Sequence, residues 1–294
     1  MKFLTFQQNE VEKVGVLSKD QKGVFPVSYF GADYISMNEL IEKITQEQLD
    51  NIKRGITVGC KEPISLEKVK KLAPIPVPKQ DIICLGINYM AHAEESARYK
   101  EEAFGGERPF AVYFSKRVNE AVADGDFIEG HFDIVDSLDY EVELAVIIGK
   151  DAKNVEEKEA FDYIFGYTII NDVSARTLQT QHKQWYFGKS LDKFFPMGPW
   201  IVTTDEFKNP PQLKISSKVN GELRQNSNTN LLIFSIAHVI HELSQGMTLK
   251  AGTIIAMGTP SGVGMGFQPP KFLKSGDKIE CEIENIGTLT NIIK

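Results

Sequence analysis

In the stretch SLDYEVELAVIIG, residues 137–149, acidic side chains recur at every second position: Asp139, Glu141 and Glu143. Alternate residues of a β-strand share a face, so these carboxylates would point the same way. That face does not stay polar. It continues as Ala145, Ile147 and Gly149, while the other face reads Tyr140, Val142, Leu144, Val146 and Ile148. Such a run belongs to a strand covered on both sides. Residues two apart on a strand lie about 6.5–7 Å apart at the backbone, and long side chains can converge. Converging ionised carboxylates away from water repel one another, and burying them unpaired is costly. Protonation of one acid, a pair of basic partners, or a divalent cation would each relieve this. Hard oxygen ligands favour Mg²⁺, Mn²⁺ or Ca²⁺ over zinc. Exposure at the strand start is the plain alternative. The stretch GDKIECEIENIG offers a contrast: Glu280, Glu282 and Glu284 alternate with Ile279, Cys281 and Ile283 without ever turning apolar, as a solvated face does.

A third acid ends the next apolar run, IFGYTIINDVSARTLQ. Asp172 there could cap a following helix. It could also line a polar site with Arg176 and Gln179, since the three fall at i, i+4 and i+7 on one helical face, and Arg176 could equally be its plain i,i+4 partner. In GINYMAHAEES, His92 and Glu95 are three apart. On a helical turn the carboxylate can hold and charge the imidazole, a general-base arrangement; a surface histidine in a charged helix is the bland reading. Residues 93–108 are polar and end near Gly105–Gly106, which suits a mobile lid. His238 and His241 share the same spacing in SIAHVIHELS without an evident third ligand, and a structural role is expected. The segment TIIAMGTPSGVGMG, with Gly258, Gly262, Gly264 and Gly266, matches neither a P-loop nor a dinucleotide fingerprint. Its glycines are either turn residues or a bare backbone that approaches an anionic ligand beside the Thr259 hydroxyl. No GxSxG elbow is present.

The elements that must position these groups are mostly strands. Residues 1–75 read as a small domain with strands near 2–6, 12–17 and 23–29 and polar helices between 37 and 54. Pro74, Pro76 and Pro78 in LAPIPVPKQ mark an extended connector. Residues 76–294 form the larger domain, with helices expected near 92–102, 156–161, 173–184 and 233–244 and a hairpin turn at NGE, 220–222. Short, irregularly spaced strands with few helices predict a mixed β-rich α+β fold, a roll or barrel, not a doubly wound parallel sheet. The chain has 294 residues, 42% hydrophobic and 25% charged, a globular balance. A net charge of −7 with no basic run argues against nucleic acid and anionic membranes as partners. Cys60, Cys84 and Cys281 are widely spaced, so neither a disulfide framework nor a zinc site is expected, and a reducing cytoplasm fits. Neither a signal peptide nor a membrane span is expected.

The segments GINYMAHAEE, PFAVYFSK, LDYEVELAVIIGK, FGYTIINDVSAR, WYFGKSLDKFFPMGPWIVT, SQGMTLKAGTIIAMGTPSGVGMG and GDKIECEIENIGTLTN occur in the order found in the fumarylacetoacetate hydrolase family, which the larger domain closely resembles over roughly 81–291. Residues 1–75 are similar, less specifically, to the small N-terminal α/β domain of many members. The resemblance implies a β-sandwich roll, a homodimer, and an enzyme acting on a small 2-oxo or β-diketo acid. Glu141, Glu143 and Asp172 match the family's metal ligands, usually Mg²⁺ or Mn²⁺. His92 and Glu95 match its water-activating dyad. Arg176, Gln179, Lys189 and Thr259 match substrate-contacting or supporting positions, and Lys189 adds catalytic positive charge. The name-giving hydrolase carries one more aspartate ligand upstream of the histidine, where this chain has CLGINYMAH. That favours smaller relatives. Hydrolytic C–C cleavage of an acylpyruvate is the leading expectation, with oxaloacetate decarboxylation or isomerisation or tautomerisation of a hydroxymuconate-like diacid at the same site as alternatives. A metal-stabilised binding module without turnover is the rival class.

Overall fold

The computed structural model describes residues 1–59, 61–99 and 110–294. Cys60 and the part of the expected lid at 100–109 lie outside them.

The run Val142–Ile148 is buried at every position. Ile164–Asn171 flanks it antiparallel on one side and Ile254–Ala256 on the other. Its two faces feed two cores. Val142, Leu144, Val146 and Ile148 pack with Ile215, Ile279, Cys281 and Leu289 of a second, five-stranded sheet. Ala145 and Ile147 join Phe3, Met37, Leu40 and Ile52 from the N-terminal segment. Double covering is therefore the physical reason the strand lacks a polar face.

The main sheet runs, edge to edge, through Ile64–Ser65, Gly23–Pro26, Val11–Leu17, Lys2–Gln8, Met197–Thr203, Ile164–Asn171, Val142–Ile148, Ile254–Ala256, Ile82–Leu85 and Tyr113–Lys116, with Lys70–Lys71 also paired to Lys2–Gln8. Within this sheet, among the described residues, only the Ile254–Ala256 and Ile82–Leu85 pair is parallel. The mixed, sheet-rich α+β architecture expected from the sequence is the one adopted, and the main sheet is predominantly antiparallel. Lys2–Gln8 pairs with Met197–Thr203, so one sheet continues from the first 75 residues into the rest. The proline-rich connector is not a free linker: Ala73 and Ile75 are buried, and the Thr5 hydroxyl donates to the Pro74 carbonyl at 2.7 Å.

Ser36 caps Met37–Lys43, and a capping box through Thr45 and Gln48 starts Gln46–Val58. The hairpin at 220–222 turns through Asn220 (φ 52°) and Gly221 (φ 82°), joining Lys214–Val219 to Glu222–Asn228. In Lys278–Ile283 the acidic positions face outward while Ile279, Cys281 and Ile283 are buried, as the contrast stretch predicted. Where one helix is expected at 173–184, the chain to 189 instead forms three pieces. Ser174–Ala175 pairs with Leu138–Asp139, and two short helices follow, Arg176–Gln181 and Tyr186–Lys189. Their corner needs Gly188, where a Cβ would sit 2.3 Å from the Gln179 nitrogen.

Candidate active site

Strand register brings the acids together. Val142 pairs with Asn171, so Glu141 and Asp172 stand side by side just past the ladder, and the Asp172 amide donates to the Glu141 carbonyl at 2.9 Å. One oxygen from each of Glu141, Glu143 and Asp172 lies within 4.8 Å of the others. All three are buried. The parallel strands Ile82–Leu85 and Ile254–Ala256 both end here, delivering the helix Met90–Tyr99 and the glycine-rich loop.

The Lys189 ammonium bridges Glu141 Oε2 at 2.8 Å and Asp172 Oδ2 at 2.6 Å. Arg176 donates to Asp139 Oδ2 at 2.8 Å and Gln179 Oε1 at 3.1 Å, and pairs with Glu141 Oε1 at 2.7 Å. Arg176 thus meets Gln179 as the spacing suggested. It is not an i,i+4 partner of Asp172, because the intervening strand piece turns Asp172 toward Lys189 and Lys116. Nor does Asp172 cap the helix; Ala175 holds that position. Burial works against ionised Glu141, yet Lys189 and Arg176 hold it at about 2. Burial and the charges of Asp172 and Glu141 push Glu143 well above the carboxylate range. One of the three remedies, basic partners, is therefore already in use at Glu141 and Asp172. The unrelieved acid is the one that lacks a basic partner: Glu143 Oε2 accepts only the Gly258 amide, at 2.8 Å.

His92 Nδ1 lies 2.9 Å from Glu95 Oε2, and both side chains are buried, so the bland surface reading does not hold. The glycine-rich loop is more than a turn. Its amides grip the site's own acids: Gly262 N donates to Glu95 Oε1 at 2.9 Å, and Gly264 N and Met265 N donate to Asp139 at 2.6 and 3.0 Å. Side chains would not fit, since a Cβ on Gly266 would fall 2.1 Å from Glu95 Oε1. The Thr259 hydroxyl donates to the Val142 carbonyl at 2.9 Å and accepts from Gln225 at 2.7 Å. His238 and His241 do not form a joint site: His241 Nδ1 bonds the Val155 carbonyl, while His238 pairs with Glu157.

A small cleft of about 50 Å³ opens onto this network, lined by His92, Glu141, Arg176, Gln179, Trp185 and Lys189 among others. Two larger surface clefts, both reaching the N-terminal segment, lack the buried acids and bases gathered here. One Arg176 nitrogen, Nη2, is buried without a partner.

Sequence reading missed Lys116 and left Asp139 aside. Lys116 donates to Asp172 Oδ1 at 2.8 Å and to the Val173 carbonyl at 3.0 Å. Burial pulls its pKa below the ordinary lysine value, with Asp172 opposing. Nothing local marks it, because YFSK reads as any strand that ends in a lysine. Among the described residues, the buried ionisable acids and bases are Glu95, Asp139, Glu141, Glu143, Asp172, Lys116, Arg176, Lys189 and His92. All belong to this one network. Taken as ionised, as cation ligands are, the five carboxylates exceed the three cations by two negative charges, the complement of one divalent ion. Three hard oxygen donors and that charge fit Mg²⁺ or Mn²⁺.

A sheet-rich α+β fold thus surrounds a buried, acid-rich cleft whose triad is compatible with a divalent metal. Residues 81–294 match the family described as fumarylacetoacetate (FAA) hydrolase, C-terminal, and the chain belongs to that family of enzymes. It is 51% identical over 229 residues, 78% of this chain and 74% of the relative, to oxaloacetate tautomerase YisK of Bacillus subtilis. A fumarylacetoacetate hydrolase structure from Exiguobacterium antarcticum is 38% identical with a TM-score of 0.81, covering 100% of this chain and 99% of that one. The maleylpyruvate hydrolase of Sphingobium sp. SYK-6, solved with manganese(II) and pyruvate, is 28% identical with a TM-score of 0.77 over 100% and 98% of the two chains.

Proposed function

We propose that this chain is a divalent-cation-dependent enzyme that interconverts the enol and keto forms of oxaloacetate or a close 2-oxo dicarboxylic acid. The observation that carries the reading is the buried network with two excess negative charges, bordered by a His–Glu pair at the cleft. The 51% identity to an oxaloacetate tautomerase supports the substrate. Glu141, Glu143 and Asp172 would hold the ion. Bound there, a hard dication supplies Lewis-acid stabilisation of charge on the oxygens of a 2-oxo acid. The unpaired Nη2 of Arg176 and the Gln179 amide orient a substrate carboxylate. Lys189 adds positive charge where the enolate forms. A carboxylate such as Glu95 only accepts, so His92 carries its proton on Nδ1 and keeps Nε2 as the base. His92 then takes the proton from C3 and returns it to oxygen, or the reverse, and no other atom leaves.

Loss of enol absorbance in the presence of Mg²⁺ or Mn²⁺ tests this. His92→Ala should slow the rate by about 10²–10⁴-fold. No acceleration by the wild type would refute it. Likeness to the maleylpyruvate hydrolase favours a second reading, hydrolysis of an acylpyruvate, in which His92 activates a water that attacks the distal carbonyl and a pyruvate fragment departs. Turnover of acetylpyruvate or fumarylpyruvate, with none of oxaloacetate, would select it; decarboxylation or isomerisation of a hydroxymuconate-type acid would show in the same screen. We also propose a homodimer, to be read as twice the chain mass by light scattering.

A further inference from the structure

We propose that Lys116 sets the charge of the cation site to that of a divalent ion. The inference rests on the cation reading above. Lys116 is 0% exposed and comes from the edge strand Tyr113–Lys116. Its ammonium takes Asp172 Oδ1 while Lys189 takes Oδ2, so each oxygen of one candidate ligand already bears a cation. The other two buried cations face the cleft, where a substrate would meet them. Lys116 does not line that cleft. It touches Asp172, the Val173 carbonyl and, at 5.9 Å, the Phe194 ring. A buried ammonium that reaches neither substrate nor solvent contributes its charge and its hold on Asp172.

Those two contributions are separable. With Lys116 the network carries two excess negative charges; without it, three. Burying an uncompensated charge is costly, so a site prefers the ion whose charge matches its own. Trivalent lanthanides share the preference of Mg²⁺ and Mn²⁺ for hard oxygen donors but carry one more charge. Removing Lys116 should therefore shift preference from Mn²⁺ toward Tb³⁺. Loss of the hold on Asp172 alone would weaken both ions in proportion and leave their ratio unchanged.

The test titrates Mn²⁺ and Tb³⁺ into the full-length, chelator-stripped chain by calorimetry. In Lys116→Met and Lys116→Gln the Tb³⁺/Mn²⁺ affinity ratio should rise at least about tenfold over wild type, a conservative figure for one unit charge a few ångströms away at an effective dielectric of about 20. Lys116→Arg should keep the wild-type ratio. An unchanged ratio in Met and Gln overturns the inference while leaving the cation site standing. If those variants do not fold, Asp172→Asn keeps the lysine and removes one negative charge, and its ratio must fall below wild type; an equal or higher ratio overturns the inference. Failure of the wild type to bind either ion would overturn the cation reading itself, and this inference with it.

Discussion

Glu95→Gln tests the proposed base without changing its size. Glu95 is held twice, by the Gly262 amide on Oε1 and by His92 Nδ1 on Oε2, each at 2.9 Å. A glutamine must meet the Gly262 N–H with its carbonyl oxygen, because an NH₂ group there would set donor against donor. The Gly262 amide fixes which end of the glutamine faces the loop. The new NH₂ is thereby aimed at His92 Nδ1. The imidazole then shifts its proton to Nε2, and the base faces the substrate already protonated. Loss of a general base lowers turnover by about 10²–10⁴-fold. The substitution removes one charge-assisted hydrogen bond and leaves His92 in place, so stability should fall by only about 1–3 kcal/mol. Steady-state kinetics with oxaloacetate enol should show the loss in kcat, with KM and Mn²⁺ affinity close to wild type. A variant that keeps its kcat within about threefold would refute both the tautomer and the dyad.

Mg²⁺ or Mn²⁺ at about a hundred times its Kd should stabilise the fold by about 2.7 kcal/mol, read as a rise in Tm of about 5 °C, and Glu143→Gln should abolish the rise; equal shifts in both proteins would place the ion elsewhere. Gly262→Ala combines a φ of 103° with a Cβ 2.0 Å from the Arg224 carbonyl oxygen. It should cost at least about 1–3 kcal/mol in denaturant unfolding and also lower kcat, since the same residue's amide holds Glu95. Leu144→Ala in the fully buried strand should cost about 2–5 kcal/mol with little change in KM. Deleting residues 1–75 strips the strand Lys2–Gln8 from Met197–Thr203 and uncovers Ala145, Ile147 and Met197; the remaining chain should aggregate, and a soluble, active 76–294 fragment would count against that coupling.

The sequence by itself determined whatever depends on neighbours along the chain. Period-2 alternation identified a strand covered on both faces, the outward set Glu280 and Glu282, and the acids Glu141 and Glu143 where no polar face should be. Three-residue spacing put Glu95 on His92, and Asn220–Gly221 fixed a hairpin. These follow from φ and ψ repeating over a few residues, which is local physics. Only the tertiary structure decided who partners whom. Arg176 bonds Asp139, 37 residues away, rather than Asp172 four residues back. Gly262 reaches Glu95 across 167 positions, and Lys116 reaches Asp172 across 56. Such pairings depend on strand order and register, which bring distant strand ends to one point, and no local period encodes them. The same register leaves Glu143 beside Glu141 and Asp172 with no cation of its own, so the sequence could name the three acids as ion ligands, but only the assembled sheet showed which of them lacks a basic partner.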